Sequence, residues 1–297
     1  MHFLIDDVFL LPSDLSGRAK MEERINKKHC HVPVTLISRS ILSRPIECFY
    51  VGSGKKYIAV FASHHALESI TANIAYIFID YLLSKMHGEK ILGIDCKLLL
   101  SKYCFAIVPC VNPDGVELRY HGAEHTPLYE RQMRMSAGDF TTWQSNARGV
   151  DLNHNYDFGF SEYKEVERDM GIVPGPTLFS GEYPESEPEV RGVANLVRVL
   201  GPAAVISLHS QGEEIYSFPN SKRIARITKK LSDMTGYLPT VPKGTATFGG
   251  LCDYTASLGI PSFTVELGKG KNPLPEGEIP GIFSRVSEAL AILPTLL

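Results

Sequence analysis

The sequence has no run of Lys and Arg, no Cys-x-x-Cys pair, no Ser/Gly-rich linker and no internal repeat. The first absence, with a net charge of −3, argues against a nucleic-acid groove or a membrane-surface patch. The missing linker and repeats favour a single domain, and 297 residues are enough to bury a large core. A hydrophobic share of 44% and a charged share of 21% are typical of a soluble enzyme.

No targeting segment is visible at the N-terminus, where residues 1–13 lack a basic segment followed by an apolar stretch. No apolar run reaches the roughly 18 residues that a membrane-spanning helix needs. We therefore expect a cytoplasmic chain without membrane contact. The cysteines lie mostly in apolar runs, which favours buried free thiols over disulfides. They are Cys30, Cys48, Cys96, Cys104, Cys110 and Cys252.

From Cys48 onward, short apolar runs alternate with helical patterns, as in an α/β domain with helices around a sheet. An apolar-periodic stretch at 69–83 predicts a helix. Ser186 followed by Glu189 has the spacing of a capping box at the start of another helix. Asn112-Pro113-Asp114-Gly115 is a strong turn signal. Strands are predicted at 57–62, 104–111, 203–208 and 262–265.

Three polar residues follow predicted strands at the point where each strand ends. His65 follows the first strand, His209 the third and Glu266 the fourth. Open α/β sheets gather their active sites outside the carboxyl ends of their strands. The sequence therefore predicts that these three distant segments meet at one edge of the sheet.

The pattern His-x-x-Glu occurs twice, as His65 with Glu68 and as His121 with Glu124. The second copy lies in a polar stretch and is interpreted as a solvated loop. The first lies between a strand and a helix, where residues three apart share a face. Catalytic zinc takes three protein ligands and one open position, and two histidines with a glutamate form one such set. His209 is the candidate third ligand.

Five motifs in this order carry a family resemblance. They occupy 63–68, 111–115, 146–155, 208–216 and 264–268. The chain resembles zinc carboxypeptidases of the carboxypeptidase A type over about 37–275, most of its length. The segments 179–189 and 268–275 also resemble the bacterial branch of γ-D-glutamyl-meso-diaminopimelate peptidases, which cut peptidoglycan stem peptides.

The resemblance implies a mixed, mostly parallel, eight-stranded twisted sheet with helices on both faces. Residues 1–36 are then a lead-in, and 37–297 form the catalytic domain. One Zn²⁺ is expected on His65, Glu68 and His209. Glu266 is expected to take a proton from the attacking water and pass it to the leaving amine.

One departure from the family pattern concerns the oxyanion. The family places an arginine directly after a tryptophan, whereas Trp143 is followed here by Gln144. A glutamine donates hydrogen bonds but carries no charge, so part of the electrostatic stabilisation is missing. Arg148, close in sequence, is the hypothetical substitute.

Other departures concern the substrate. Asn153-His154 stands where carboxypeptidases have Asn-Arg to grip a terminal carboxylate, which argues against a strict carboxypeptidase. Thr245 stands where the family has a tyrosine that closes over substrate. Glu213 and Glu214 are either a contact for an amino group such as that of diaminopimelate or a solvated loop pair.

These features favour a peptidase that hydrolyses the γ-D-Glu–diaminopimelate bond of stem peptides or muropeptides. Two alternatives remain open: a zinc deacylase of small acyl-amino acids, and a muropeptide-binding protein that has lost turnover. The sequence leaves the peptide length, the diamino acid, the oligomeric state and the metal used in the cell undetermined.

Overall fold

The computed structural model describes residues 3–218, 221–241 and 248–297. Its strands are β1 (Val34–Arg39), β2 (Pro45–Val51), β3 (Lys56–Ala62), β4 (Lys90–Ile91), β5 (Ile94–Asp95), β6 (Tyr103–Val108), β7 (Ala204–Ser210), β8 (Glu214–Ser217), β9 (Leu238–Thr240) and β10 (Ser262–Leu267). Its α-helices are α1 (Leu15–His29), α2 (Ile70–Lys85), α3 (Cys96–Lys102), α4 (Pro113–His121), α5 (Tyr129–Ser136), α6 (Phe160–Met170), α7 (Pro188–Leu200), α8 (Lys222–Thr235), α9 (Leu251–Ser257) and α10 (Ile279–Ile292).

One eight-stranded sheet organises the chain, in the order β1-β2-β6-β3-β7-β10-β8-β9. Its centre is parallel, because β3 pairs with β6 and β7, and β7 pairs with β10. Three pairs are antiparallel: β1 with β2, β2 with β6, and β8 with β10. The predicted mixed, mostly parallel sheet is confirmed, and so are the four predicted strands and the helix at 69–83.

Helices cover both faces of the sheet, as the alternation along β3 shows. Ile58, Val60 and Ala62 pack in one apolar core with α1, α2, α8 and α10. Ala59 and Phe61 point the other way, into a second core with α7 and α9. Such a strand, buried on both faces, is a continuous apolar run in the sequence rather than an alternating one.

Residues 3–36 are folded onto the domain. Helix α1 is capped by Asp14, whose carboxylate accepts a hydrogen bond from the backbone N–H of Gly17. Its Met21 and Ile25 are fully buried in the same core as α2. The boundary at residue 36 stays a prediction.

One stretch is longer and more apolar than we expected from the sequence. Glu276–Leu296 has the length and a mean hydropathy of 1.2 that would suit a membrane span. However, 61% of the 18-residue segment that has this hydropathy is buried inside the protein. This stretch contains α10, which packs against α2 and α8 as a core helix.

The cysteines and the predicted caps differ in part from expectation. All six thiols are free and five are buried, but Cys30 is exposed. The turn predicted at Asn112 is the start of α4, with the Asn112 side chain as its cap. The capping box predicted at Ser186 is wrong: α7 begins at Pro188 and has no side-chain cap, because the Ser186 hydroxyl bonds Asn155 and Glu187 instead.

Glu189 is consequently buried rather than capping. One carboxylate oxygen accepts the backbone N–H of Ile41 at 3.2 Å, and the other has no partner among the described residues. Burial, and then the charges of Glu187 and Asp114, raise the pKa of Glu189 to about 8 from an ordinary 4.5. As the pH rises, the folded protein therefore keeps the proton on Glu189 up to a higher pH than the unfolded chain does.

This burial predicts that the free energy of unfolding falls as the pH rises from about 4.5 to about 8. Between pH 5.5 and 8.5, Glu189→Gln, which cannot ionise, should remove on the order of 3 kcal/mol of that fall. Urea unfolding at pH 5.5 and 8.5 measures the difference. Glu130→Gln, at a side chain 86% exposed, is the matched control and should follow the wild type. Equal pH dependence in Glu189→Gln and wild type would contradict the assignment.

Candidate metal centre

Three neighbouring strands deliver the polar residues that the sequence placed at strand ends. In the sheet, Ala62 of β3 lies opposite Leu208 of β7, and Glu266 of β10 lies opposite His209. β3, β7 and β10 run parallel, so their carboxyl ends meet at one edge. His65 follows β3 there, and a 3-10 turn at Ala66–Glu68 carries Glu68 back toward β7.

His65, Glu68 and His209 form a compact ligand set. Each carboxylate oxygen of Glu68 lies against one ring nitrogen: His65 Nδ1 is 3.0 Å from Oε1, and His209 Nδ1 is 3.0 Å from Oε2. One ligand atom from each residue lies within 4.8 Å of the others, and no other such set occurs in the part of the chain that the structure describes. Two imidazole nitrogens and a carboxylate suit zinc.

The outer nitrogens of both rings are also held. His65 Nε2 lies 3.1 Å from Oδ1 of Asp151, and His209 Nε2 lies 3.0 Å from the hydroxyl of Ser207. Asp151 is fixed in turn by the backbone N–H groups of Asn153 and Leu178. A proton held on Nε2 leaves the Nδ1 lone pair free, and this orientation of the ligand rings is what a metal needs.

Glu266 completes the edge of the sheet beside this set. Its partial burial, and then the carboxylates of Glu68 and Glu214, raise the pKa of Glu266 well above its usual range. A cation between Glu68 and Glu266 would relieve that repulsion. The residues therefore fit a divalent metal in both donor chemistry and charge.

Gln144 is anchored next to the ligands through its backbone. Its carbonyl accepts the N–H of Ala66 and the side-chain amide of Asn112, which also donates to the carbonyl of His64. The Gln144 side-chain amide bonds none of the described residues, and Gln144 lines the cavity. It is therefore available to a bound molecule.

A cavity of about 300 Å³ opens over the ligand set. Its lining is rich in carboxylates, and no Lys or Arg of the described ranges contributes to it. The polar lining residues are His65, Glu68, Gln144, Asp151, Asn153, His154, Thr177, His209, Tyr216, Asp253, Thr264 and Glu266.

Asn153 and His154, which the sequence predicted as substrate contacts, both line the cavity. The Asn153 side-chain oxygen accepts the N–H of Leu251 at 3.1 Å, which leaves its amide N–H groups for a ligand. His154 stacks on Tyr163 with ring centroids 4.2 Å apart, and its Nδ1 lies 2.8 Å from the carbonyl oxygen of Phe248. In a neutral His154, that bond makes Nε2 an acceptor rather than a donor.

Several residues named from the sequence lie elsewhere. Arg148 does not reach the cavity, because two of its guanidinium nitrogens bond the carboxylate of Glu187 at 2.7 and 3.0 Å. Glu213 also lies outside and pairs with Arg285. Glu214 lies opposite Glu266 in the β8–β10 pair and accepts a hydrogen bond from the hydroxyl of Tyr216. Tyr216 lines the cavity, whereas Glu214 does not.

The remaining sequence signals also have defined positions, with one exception. His121 is the last residue of α4 rather than part of a loop, and it is exposed, as is Glu124. His121 pairs with Asp14 at 2.9 Å, and neither residue joins the ligand set. Thr245 lies outside the described residues.

Sequence reasoning missed Asp151, Ser207 and Asp253. Asp151 stood in a quoted motif next to Asn153, so its position before the predicted substrate residues was an available signal. Ser207 lies two residues before His209 on the same side of β7, the spacing at which strand side chains share a face. No sequence signal marked Asp253.

Comparison with known proteins agrees with this geometry. The zinc carboxypeptidase family profile matches residues 19–288. Gamma-D-glutamyl-L-diamino acid endopeptidase 1 from Lysinibacillus sphaericus is 34% identical over 267 residues, which are 87% of this chain and 65% of that protein. The chain thus spans just under two thirds of the length of this relative.

Solved structures share the fold. Bovine thrombin-activatable fibrinolysis inhibitor superposes with a TM-score of 0.75 at 22% identity, over 97% of this chain and 98% of that one. Murein-tripeptide amidase MpaA from Escherichia coli O157 gives 0.56 at 18% identity, over 91% and 94%. With the family profile matching most of its length, the chain belongs to the zinc carboxypeptidase family of zinc-dependent metallopeptidases.

Proposed function

We propose that this zinc peptidase hydrolyses the amide bond between γ-D-Glu and a diamino acid in peptidoglycan stem peptides or muropeptides, with diaminopimelate as the leading candidate. The carrying observation is the placement of Glu266, opposite His209 on the neighbouring strand, beside a largely buried ligand set of two histidines and a glutamate. The relative that is 34% identical, a gamma-D-glutamyl-L-diamino acid endopeptidase, supports the choice of bond.

In this proposal His65, Glu68 and His209 hold the zinc, and Asp151 and Ser207 orient the two imidazole rings. The chemistry that zinc supplies when bound is Lewis-acid polarisation of the scissile carbonyl and of the attacking water. Glu266 accepts the proton of that water and delivers it to the nitrogen of the leaving amine. Its place opposite His209 on the neighbouring strand suits a group that must both take and return that proton.

The cavity walls favour an internal bond over a free C-terminal residue. A strict carboxypeptidase needs a fixed cation for the terminal carboxylate, and no Arg or Lys of the described segments lines the cavity. Asn153 offers only neutral N–H donors, and Nδ1 of His154 is occupied by the carbonyl oxygen of Phe248. These contacts support an enzyme that accepts further residues after the one that follows the scissile bond.

Gln144 is the residue that we assign to the oxyanion, because Arg148 is held by Glu187 outside the cavity. Gln144→Ala should lower kcat about 10²-fold with a smaller change in KM, since the donor acts mainly on charge that develops in the transition state. Steady-state kinetics with one stem peptide measures both constants. Arg148→Ala is the comparison variant and should leave kcat within about threefold; the opposite ranking would reassign the oxyanion to Arg148.

The deciding experiment is hydrolysis of L-Ala-γ-D-Glu-meso-diaminopimelate, with and without a terminal D-Ala, by the zinc-loaded protein. Release of L-Ala-D-Glu establishes the bond, and the preferred peptide separates exopeptidase from endopeptidase action. Bound zinc without cleavage of either peptide would overturn the proposal and favour the binding-protein alternative, which the uncharged Gln144 keeps open.

A further inference from the structure

Two of the three ligand residues lie in one short segment between β3 and α2. β3 ends at Ala62, and α2 begins at Ile70. His65 and Glu68 lie between them. The chain leaves β3 through Ser63, whose φ of 52° lies in the left-handed region. A residue with a Cβ adopts this region at a cost and keeps it only where its surroundings fix it. The turn at Ser63 therefore needs a partner that holds it.

The hydroxyl of Thr71, in the first turn of α2, is that partner. Thr71 is completely buried, and its hydroxyl accepts the backbone N–H of Ser63 at 2.8 Å and donates to the carbonyl oxygen of Glu68 at 2.7 Å. The second bond is the ordinary contact of a helical threonine with the carbonyl three residues before it. The first bond spans eight positions and reaches the turn. One hydroxyl therefore connects the turn before His65 to the backbone of Glu68.

The remaining contacts of the turn come from Asn112, the cap of α4. The carbonyl oxygen of Ser63 accepts the N–H of Asn112 at 3.0 Å, and the Asn112 side chain donates to the carbonyl oxygen of His64 at 3.0 Å. The Ser63 N–H bonds no described residue other than Thr71. Without that hydroxyl, a buried N–H would lose its acceptor and the left-handed turn would lose its support. A change at Ser63 redirects the two residues that follow it, and the second of them is the ligand His65.

We propose that Thr71 is a positioning residue for the metal: by fixing the left-handed turn at Ser63, its hydroxyl holds the two ligands of this segment at the spacing that zinc binding needs. Asp151 orients His65 by contacting its ring, whereas Thr71 contacts neither ligand side chain and acts through the backbone. Loss of a residue that orients a metal ligand typically costs about 10–100-fold in affinity. This role concerns metal binding alone and is independent of the peptide that the enzyme cleaves.

The test compares the zinc affinity of Thr71→Val, which keeps the side-chain shape without the hydroxyl, with that of Thr71→Ser, which keeps the hydroxyl. Thr71→Val should raise the Kd for zinc at least about tenfold, whereas Thr71→Ser should stay within about threefold of the wild type. Titration of the metal-free proteins with zinc against a chromophoric chelator measures Kd. An equal loss of affinity in both variants would reject the hydroxyl as the group that acts.

Thr228→Val is the matched control for the loss of a buried hydroxyl. The hydroxyl of Thr228 donates to the carbonyl oxygen of Ile224 at 3.0 Å within α8 and pairs with the hydroxyl of Ser217 at 2.8 Å. Because Thr228 lies outside the metal segment, this variant should keep the wild-type Kd even where its free energy of unfolding falls. Urea unfolding of the metal-free proteins measures that fall. A Thr71→Val protein that loses stability but keeps the wild-type zinc affinity would reject the proposal, because that result describes a residue that only supports the fold.

The wild type alone provides a second test, which does not depend on whether Thr71→Val folds. In the metal-free protein, the amide of Ser63 should exchange its hydrogen as slowly as that of Asn112, which bonds the Ser63 carbonyl. Hydrogen exchange followed by NMR measures both rates. Exchange of the Ser63 amide at the rate of an unfolded chain would reject the proposal without any variant. Failure of the wild type to bind zinc would overturn the ligand set and the role of Thr71 with it.

Discussion

Glu266→Gln is expected to lower kcat about 10³-fold and to leave one zinc per chain in place. The loss follows because the amide cannot accept the proton of the attacking water, and general base catalysis contributes about 10²–10⁴-fold. Zinc remains because Glu266 is not one of the three residues whose ligand atoms converge. Single-turnover hydrolysis and metal analysis of the same sample measure both quantities.

The same variant should be more stable than the wild type when the metal is removed. In the metal-free protein, burial and then the carboxylates of Glu68 and Glu214 raise the pKa of Glu266, and a neutral amide avoids the cost of ionising it. Glu214→Gln is the informative comparison, because Glu214 lies directly opposite on β8 and bonds Tyr216. It should cost kcat less than about tenfold. A loss of kcat in Glu214→Gln as large as that in Glu266→Gln would show that the assignment of the proton transfer to Glu266 is wrong.

The central strands could be predicted from the sequence, whereas the edge strands could not. Val60 and Ile206 belong to strands buried on both faces, which are continuous apolar runs in the sequence. Val34–Arg39 at one edge has four exposed and three polar residues among its six, and Leu238–Thr240 at the other has only three residues. Neither is long or apolar enough to be distinguished from a loop, so only the family resemblance implied eight strands.

The metal ligands could be predicted because their positions follow from local rules. His65 and Glu68 are three residues apart between a strand and a helix, and His209 and Glu266 occupy paired positions on adjacent parallel strands. The pairing of Arg148 with Glu187, 39 positions later, follows from no local pattern. It depends on how the 146–155 segment packs before α7, and this packing removed Arg148 from the cavity.

Asp253 and Glu189 show a second reason why the sequence was not sufficient. Each lies in the first turn of its helix, α9 or α7. At that position an acid usually faces solvent, and its negative charge interacts favourably with the helix dipole. Both are instead 95% or more buried by tertiary packing. Their raised pKa values depend on that packing, and on the neighbouring acids in the case of Glu189. Sequence periodicity carries no information about such an environment.

His209→Ala is expected to weaken zinc binding by more than about 10²-fold, since even the loss of a residue that only orients a ligand costs about 10–100-fold in affinity. His209 is 2% exposed, and its Nδ1 shares the carboxylate of Glu68 with His65. After dialysis the variant should contain no zinc, and hydrolysis should be undetectable at zinc concentrations that saturate the wild type.

The second His-x-x-Glu copy provides the matched control for this experiment. His121→Ala removes an exposed histidine whose ring pairs with Asp14 outside the ligand set, so zinc content and kcat should match the wild type. Retention of one tightly bound zinc by His209→Ala would show that the ion lies elsewhere. Loss of zinc from His121→Ala would contradict the choice of His65 and Glu68 over the copy at 121–124. Loss of zinc from His209→Ala alone would support the pattern at 65–68 as the metal site. Of the two His-x-x-Glu patterns, that one follows β3, which ends beside β7 and His209.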